Sequence, residues 1–284
     1  MIFIVGPTAS GKSFLGMELA RRLNGEIICA DSQTIRKGLD IGTAKPSLED
    51  RSEIPHHMID IIEPYEDFSV NEFKNIAQKT IIEIEERGNT PIIVGGTGLY
   101  INALYYDFDL DFDNSNSDYK RELEQKSVEE LQEIIKSKNY ELPNNENNPR
   151  HLIGTILREG SINKNTSPVE GALIYGLMPE DDVLKQRISD RIDLMFKNGF
   201  VEEVEKLLDE YGRPKKKMDA IGYPLVIEYL DGNKKIEDVK KEFKTGHWQY
   251  ARRQKSWFKR NDNIIWLNNP QEGLEEIIKQ VIQT

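Results

Sequence analysis

Residues 6–13 read Gly6-Pro7-Thr8-Ala9-Ser10-Gly11-Lys12-Ser13 and match a phosphate-binding P-loop at every fixed position. The apolar run Ile2–Val5 precedes this stretch and a helical pattern follows it, which is the context that a P-loop requires. The glycines let backbone N–H groups turn toward phosphate oxygens, and the helix adds the positive end of its dipole. Lys12 would then reach the terminal phosphates, and Ser13 would ligate Mg²⁺. Kinases, GTPases and transferases share the motif, so it predicts phosphate binding but not the reaction.

Short apolar strands alternate with amphipathic helices outward from this motif. The predicted strands are Ile2–Val5, Glu26–Ala30, Pro91–Val94, Leu173–Leu177 and Asn263–Leu267. The predicted helices of the same region are Ser13–Leu23, Val70–Arg87, Asp181–Tyr211 (as one or two helices) and Ile236–Lys259, with a last helix closing the chain. Strands that are almost wholly apolar indicate a parallel sheet covered on both faces, and hence an α/β fold.

The composition changes near Asp107, where an acidic, Asn-rich stretch begins. Two further helices are predicted beyond it, Ser127–Lys138 and Arg150–Glu159. We therefore predict a P-loop NTPase-like parallel-sheet core formed by residues 1–108 and 172–284, interrupted by a mostly helical insertion domain at 109–171.

Composition limits the environment and the partners. Cys29 is the only cysteine, which excludes an internal disulfide and a cysteine metal cluster. We find no secretory signal and no apolar window long enough to cross a membrane, so we expect a cytoplasmic protein. A net charge of −11 disfavours a nucleic-acid partner, yet residues 241–260 hold seven Lys or Arg and one Glu, a net charge of +6. Such a patch can bind phosphates locally because salt screens distant charge.

Two other strand ends carry residues suited to a site. Asp31 follows the second strand, at the edge where ligands bind in open parallel sheets, and is placed to act as a general base. It could equally be a turn residue. The run Gly95–Tyr100 follows another strand. Its glycines and Thr97 either come close to a ligand or form a tight turn into a helix. Because this strand ends in glycine rather than in an acid, ATP hydrolysis is disfavoured.

Three further features have structural and functional interpretations. His56 and His57 lack cysteine partners, so a structural or hydrogen-bonding role is favoured over a metal site. Arg187 and Arg191 share one helical face and either clamp phosphates or pair with neighbouring aspartates. The segment His247–Arg260 interleaves aromatic and basic residues, which suits stacking on RNA but also fits a core-packed amphipathic helix.

Together these segments resemble one family, the tRNA dimethylallyltransferases (tRNA isopentenyltransferases). The matching stretches are Gly6–Ser13, Asp31–Gln33, Gly38–Pro46, Pro55–His57, Gly95–Tyr100, Ile221–Tyr223 and Tyr250–Phe258, in family order. Gly38–Pro46 and Gly95–Tyr100 are the most specific. The resemblance implies an enzyme that transfers the dimethylallyl group of dimethylallyl diphosphate to N6 of the adenosine 3′ of the anticodon in tRNA.

The resemblance also implies roles for particular residues. The P-loop would hold the diphosphate leaving group, with Lys12 and Mg²⁺ on Ser13 stabilising its charge. Asp31 would take the amine proton while the C–N bond forms, and Thr97 would orient the diphosphate or the amine. The expected contacts to the tRNA anticodon stem-loop are Asp31, Ser32, Gln33, Thr34, Thr97, Arg150, Arg252 and Arg253. We expect a monomer.

The sequence departs from the family pattern mainly where the family has basic residues. The departures are Gly154, Asp219, Pro224, His247 and Trp248, with Arg158 and Lys215–Lys217 nearby as possible replacements. Lost arginines weaken phosphate or RNA contacts by about 1–3 kcal/mol each. Two alternatives to the transferase therefore stay open: a small-molecule or nucleotide kinase on the same fold, and a catalytically attenuated relative that binds tRNA.

Overall fold

The computed structural model describes residues 1–108, 117–143, 145–157, 167–214 and 220–283. These residues form two compact units. The larger unit comprises Met1–Tyr105 and Val169–Thr284, and the smaller comprises Tyr106–Pro168. Of the residues discussed above, Arg158, Lys215–Lys217 and Asp219 lie outside the described residues.

The larger unit is built on a parallel sheet. Its strands are β1 (Ile2–Val5), β2 (Gly25–Ala30), β3 (His56–His57), β4 (Thr90–Gly95), β5 (Leu173–Leu177) and β6 (Ile265–Leu267). Their order across the six-stranded sheet is β3-β2-β4-β1-β5-β6. Every residue of β1 and β2 is buried, as expected for strands with helices on both faces. The predicted parallel α/β fold is thereby confirmed.

The helices, in chain order, are α1 (Lys12–Leu23), α2 (Leu48–Glu53), α3 (Val70–Glu86), α4 (Gly98–Tyr105), α5 (Ser117–Glu124), α6 (Val128–Ser137), α7 (Pro149–Leu157), α8 (Asp181–Lys197), α9 (Phe200–Tyr211), α10 (Tyr223–Leu230), α11 (Ile236–Phe258) and α12 (Pro270–Gln283). The predicted helical region Asp181–Tyr211 is two helices, because Gly199 adopts a left-handed φ of 96° between them. Within the described ranges, no helix combines the length and the hydrophobicity needed to span a bilayer.

Helices α8 to α11 enclose an aromatic core that holds one loop of the site in place. Phe200 packs against Tyr223 and Phe243 with ring centroids 5.0 and 5.4 Å away. A Cβ on Gly42 would lie 2.2 Å from the Phe200 ring, so only glycine fits at this approach. The Glu203 carboxylate accepts hydrogen bonds from the backbone N–H groups of residues 40, 41 and 42 at 3.0, 2.6 and 3.2 Å. These contacts fix the loop that follows Gly38.

The smaller unit has a core of its own. The buried side chains are Leu123, Leu131, Ile135, Leu152, Ile153 and Ile156, contributed by α5, α6 and α7. Helix α6 starts at a capping box, in which the Ser127 hydroxyl accepts from the Glu130 N–H. Arg150 and Gly154 both lie in α7.

Candidate active site

Three neighbouring strands end at the same level of the sheet. Ala30 of β2 and Val5 of β1 both pair with Gly95 of β4, so the residues that follow each strand meet at one edge. Those residues are Asp31, the P-loop and Gly96-Thr97. The Ser32 N–H donates to the Thr97 hydroxyl oxygen at 3.1 Å, and the Thr97 N–H donates to the Ala30 carbonyl at 3.2 Å. The sheet register thus brings the sequence-predicted residues of these three segments together.

The P-loop has the backbone conformation that its glycines allow. Gly6 and Gly11 adopt φ values of 150° and 99°, and Ala9 is left-handed at 61°. A Cβ on Gly6 would lie 2.4 Å from the Leu177 carbonyl oxygen, so the close approach of β5 also requires glycine here. Among the described residues, the buried Ser10 hydroxyl has no hydrogen-bond partner. A phosphate oxygen in the loop would give it one.

Lys12 extends along this loop. Its Nζ donates to the Pro7 carbonyl at 3.1 Å. The pKa of Lys12 is lowered to about 8, chiefly by burial. The positive charge of Arg191 lowers this pKa further, and the negative charge of Asp31 raises it. Within the part of the chain that the structure describes, no carboxylate forms an ion pair with Lys12. Such a desolvated ammonium group favours the binding of an anion.

Helix α8 adds two arginines to the P-loop. Arg191 Nη1 donates to the Thr8 hydroxyl at 3.3 Å, and Arg187 Nη1 lies 3.4 Å from the Ser10 carbonyl. The neighbouring aspartates are bound elsewhere, Asp190 by Gln186 and Asp193 by Lys244. Of the two interpretations drawn from the sequence, the contacts favour the one that directs these arginines at phosphates.

The loop after β4 is fitted closely against protein neighbours. Added Cβ atoms on Gly95, Gly96 and Gly98 would lie 2.1, 2.3 and 2.2 Å from Ala30, Gln254 and Trp257, respectively. Close packing against these neighbours therefore requires the glycines, and Gly95 also lines the cavity described below. The Thr97 side chain is hydrogen-bonded to the phenol of Tyr250. Burial is the main cause that raises the pKa of Tyr250.

Gln254 of α11 connects the P-loop to this second loop. Its Oε1 accepts from the Thr8 N–H at 2.8 Å, and its Nε2 donates to the Gly96 carbonyl at 2.9 Å. The side chain is buried at 5% exposure. Because both partners are backbone groups, the amide fixes the spacing between the two loops whatever their side chains are.

Replacing Gln254 with leucine is expected to destabilise the fold by about 2–4 kcal/mol, because it leaves one buried and one partly buried backbone group unpaired. Denaturant unfolding of both proteins measures this loss. Gln249→Leu, at an exposed position of the same helix, is the matched control and should change stability by less than about 0.5 kcal/mol. Equal stability of the two variants would show that Gln254 does not hold the loops.

A cavity of about 520 Å³ opens between these elements. One wall is polar and is formed by Thr8, Lys12, Ser13, Asp31, Ser32, Gln33, Thr34, Arg191, His247, Tyr250, Arg253 and Gln254. Another is mainly apolar and includes Phe14, Met17, Ile27, Cys29 and Val94. The pKa of the Cys29 thiol is raised to about 12, mainly by burial and secondly by the negative charge of Asp31. Cys29 therefore contributes a neutral surface to the cavity. The cavity can thus hold a molecule with an anionic end and a hydrocarbon end.

The remaining predicted site residues lie in different places. Arg252 lines a groove of α11 with Gln249, Arg253, Ser256, Trp257 and Arg260. Arg150 belongs to α7 in the smaller unit. Three cavity residues were not predicted as part of the site: Lys45, His247 and Gln254. The spacing of His247, Tyr250 and Gln254 on α11, close to three and four residues, is the signal that could have found two of them.

The two adjacent histidines, which form the short strand β3, have hydrogen-bonding roles, as predicted. His56 Nδ1 lies 2.7 Å from the Ile54 carbonyl, and His57 Nε2 lies 2.6 Å from the Glu26 carboxylate. Burial opposes ionisation of Glu26, but hydrogen bonds from Arg87, Asn89 and His57 lower its pKa to about 2. In the described ranges, no group of His, Cys, Asp or Glu has the arrangement of a metal cluster.

The strand order and the P-loop at the end of β1 define the class of this protein as a P-loop α/β phosphate-binding fold. The sequence profile of the IPP transferase family matches residues 34–261. Two similar proteins are the tRNA dimethylallyltransferases of Staphylococcus saprophyticus and Halalkalibacterium halodurans, each 37% identical over 99% of this chain and 95% of the relative.

Solved structures agree with the sequence matches. The tRNA isopentenylpyrophosphate transferase of Staphylococcus epidermidis superposes with a TM-score of 0.75 at 35% identity, covering 99% of this chain and 98% of that one. A eukaryotic dimethylallyltransferase described as acting on tRNA superposes with a TM-score of 0.80 at 25% identity, covering 94% of this chain and 73% of that one. This chain belongs to the IPP transferase family. The predicted family, the P-loop NTPase-like fold and the prenyltransferase class of enzyme are confirmed.

Proposed function

We propose that this enzyme transfers the dimethylallyl group of dimethylallyl diphosphate to N6 of the adenosine 3′ of the anticodon in tRNA, releasing diphosphate. The observation that carries the proposal is that Lys12 and Asp31 face one cavity with an apolar wall beside them. An anion-binding group, a hydrocarbon surface and a base are the three elements that prenylation of an amine needs. Family membership supports tRNA as the acceptor.

The diphosphate end of the donor would lie in the P-loop. The backbone N–H groups of residues 6–13 and the N-terminus of α1 favour phosphate oxygens. The positive charge of Arg191 disfavours the charged form of Lys12. An anion between them would relieve that repulsion and stabilise the charge that develops as the C–O bond breaks.

The dimethylallyl group would lie on the apolar wall. Ile27 and Cys29 are two residues apart on β2, so their side chains lie on one face of the strand, and both line the cavity together with Met17 of α1. Burying the hydrocarbon contributes roughly 0.8 kcal/mol per CH₂. This arrangement would place the reacting carbon between the P-loop and Asp31.

Asp31 would act as the base. During transfer the C–O bond of the donor breaks, the bond from N6 to the same carbon forms, and one N6 proton moves to the Asp31 carboxylate. One carboxylate oxygen already accepts from the Gln33 N–H at 2.8 Å, which fixes the side-chain direction. Thr97, held by the Ser32 N–H and Tyr250, would orient the amine or the diphosphate beside it.

Magnesium fits the oxygen donors at the diphosphate end. The Ser13 hydroxyl lies at the cavity wall at the start of α1. It is a hard oxygen ligand of the type that Mg²⁺ prefers, and the diphosphate oxygens would supply others. Bound there, the ion would neutralise part of the charge of the diphosphate.

The anticodon stem-loop would contact Asp31, Ser32, Gln33, Thr34 and Thr97 near the reacting base, with Arg150, Arg252 and Arg253 on phosphates. The adenosine would leave the stacked loop to reach the cavity. The helical insertion at 109–171 would contribute to tRNA binding. We propose that the enzyme acts as a monomer in the cytoplasm, where its tRNA substrate is found.

Replacing Arg252 with alanine is expected to weaken stem-loop binding and to reduce the slope of log affinity against log salt by about one, because one phosphate contact is lost. Titration at several salt concentrations measures the slope. Arg213→Ala, which removes an exposed arginine already paired with Asp231, should leave it unchanged. An unaltered slope for Arg252→Ala would place the RNA elsewhere.

Transfer from labelled dimethylallyl diphosphate to an anticodon stem-loop tests the proposed function, with labelled ATP assayed alongside. Incorporation of label into RNA only with the prenyl donor is the expected result. Stem-loop binding without label would identify an attenuated relative. ATP turnover without RNA would identify a kinase.

A further inference from the structure

One cavity residue has no part in the reaction as described so far. His247 lies on α11, one turn before Tyr250 and two turns before Gln254. All three line the cavity. Gln254 contacts the P-loop at Thr8 and Tyr250 contacts Thr97, so this face of α11 follows the edge of the site.

His247 lies beside the cationic part of that edge. The charge of Arg191 acts on its imidazole, and Arg191 itself donates to the P-loop at Thr8. The ring of His247 packs edge-on against Phe243, with centroids 4.7 Å apart. This contact fixes the plane of the imidazole while leaving the nitrogens unpaired: among the described residues neither ring nitrogen has a hydrogen-bond partner.

The imidazole is neutral at physiological pH. Burial, and then the nearby guanidinium of Arg191, lower the pKa of His247 to about 4. A neutral imidazole keeps one N–H donor and one acceptor. A half-buried polar ring that lacks a protein partner and faces a cavity is suited to donate its N–H to a ligand.

We propose that His247 is a substrate-binding residue that donates a hydrogen bond to a non-bridging oxygen of the diphosphate group, beside Arg191. This deepens the proposed function, on which it rests. The N–H of His247 would give the diphosphate end a hydrogen-bond donor beside the guanidinium of Arg191.

The alternative ligand for His247 is the adenine of the acceptor, which also enters the cavity. The environment of Arg191 favours the diphosphate over the adenine. Its guanidinium has no carboxylate partner among the described residues and is bound to the P-loop, so the space next to it suits an anion better than a neutral base.

Binding of inorganic diphosphate with magnesium, measured by calorimetry on the full chain, tests this assignment. His247→Phe keeps a flat ring against Phe243 but removes the N–H. It is expected to weaken diphosphate binding about tenfold to a hundredfold, since a hydrogen bond to a charged group is lost. His247→Asn keeps a donor and should stay within about fivefold of the parent, a difference of the size of one neutral hydrogen bond.

Two outcomes would overturn the proposal. His247→Phe could bind diphosphate as tightly as the parent, which would make His247 a packing residue. It could instead leave diphosphate binding unchanged and raise the KM for the stem-loop alone, which would place His247 against the RNA. Thermal unfolding of each variant shows whether it is folded. Because diphosphate binding requires no transfer to RNA, a failure of this proposal is distinct from a failure of the proposed function.

Discussion

Replacing Lys12 with alanine is expected to lower kcat/KM for prenyl transfer at least about a hundredfold, as loss of a preorganised group on a developing negative charge does. The structure places this ammonium group in the P-loop with the Pro7 carbonyl as its hydrogen-bond acceptor. Its lowered pKa of about 8 still leaves it charged at neutral pH. Transfer of label to the stem-loop, measured at several donor concentrations, gives the effect.

The fold should tolerate this change, because removing a desolvated charge that lacks an ion-pair partner is often neutral or stabilising. Thermal unfolding of the variant checks that point. Lys37→Ala is the matched control, since Lys37 pairs with Glu63 on the exposed surface. It should transfer at the parent rate. A loss below about tenfold for Lys12→Ala would contradict the role of Lys12 in stabilising the leaving group.

The second large effect is expected at Asp31. Asp31→Asn should reduce kcat by about 100- to 10,000-fold, the usual contribution of general-base catalysis. The asparagine keeps an oxygen for the Gln33 N–H, so the turn after β2 should persist. Binding of inorganic diphosphate should be equal or tighter, because a negative charge has been removed from the cavity. Asp31→Ala should likewise abolish transfer and leave diphosphate binding nearly intact.

Single-turnover transfer and diphosphate calorimetry, run on the same preparations, separate the two effects. Asp209→Asn, at an exposed position of α9 that does not line the cavity, provides the control for loss of a carboxylate. If Asp31→Asn lost transfer and diphosphate binding to the same degree, Asp31 would be a structural or magnesium-binding residue rather than the base.

The local pattern of apolar and polar residues was sufficient to predict many of the strands and helices. The bounds of β1 and β5 were predicted to the residue, because each is a short apolar run with a glycine or a proline within two residues of its end. Helix α3 was predicted as Val70–Arg87 and does begin at Val70, where Ser69 and Glu72 form a capping box. The short strand β3 was missed, since His56 and His57 are held by a pairing with β2 that no local pattern reveals.

The site was harder to predict in full because its parts are distant in sequence. The motif around Lys12 could be read directly, yet the contacts that complete it come from α8 and α11. Gln254 lies 246 residues from its partner Thr8, and Arg191 lies 183 residues from the same residue. Charge and spacing alone allowed Arg191 to be an ordinary surface residue. Only the fold distinguishes the alternatives.

Mapping the prenylated position in the RNA tests the central claim most directly. The parent enzyme, magnesium, dimethylallyl diphosphate and an anticodon stem-loop with adenosine 3′ of the anticodon would be incubated, and the RNA digested and analysed by mass spectrometry. The proposed function predicts a single dimethylallyl group on N6 of that adenosine, and none when it is replaced by guanosine. A dimethylallyl group at another position, or an unmodified RNA with the donor intact, would contradict it.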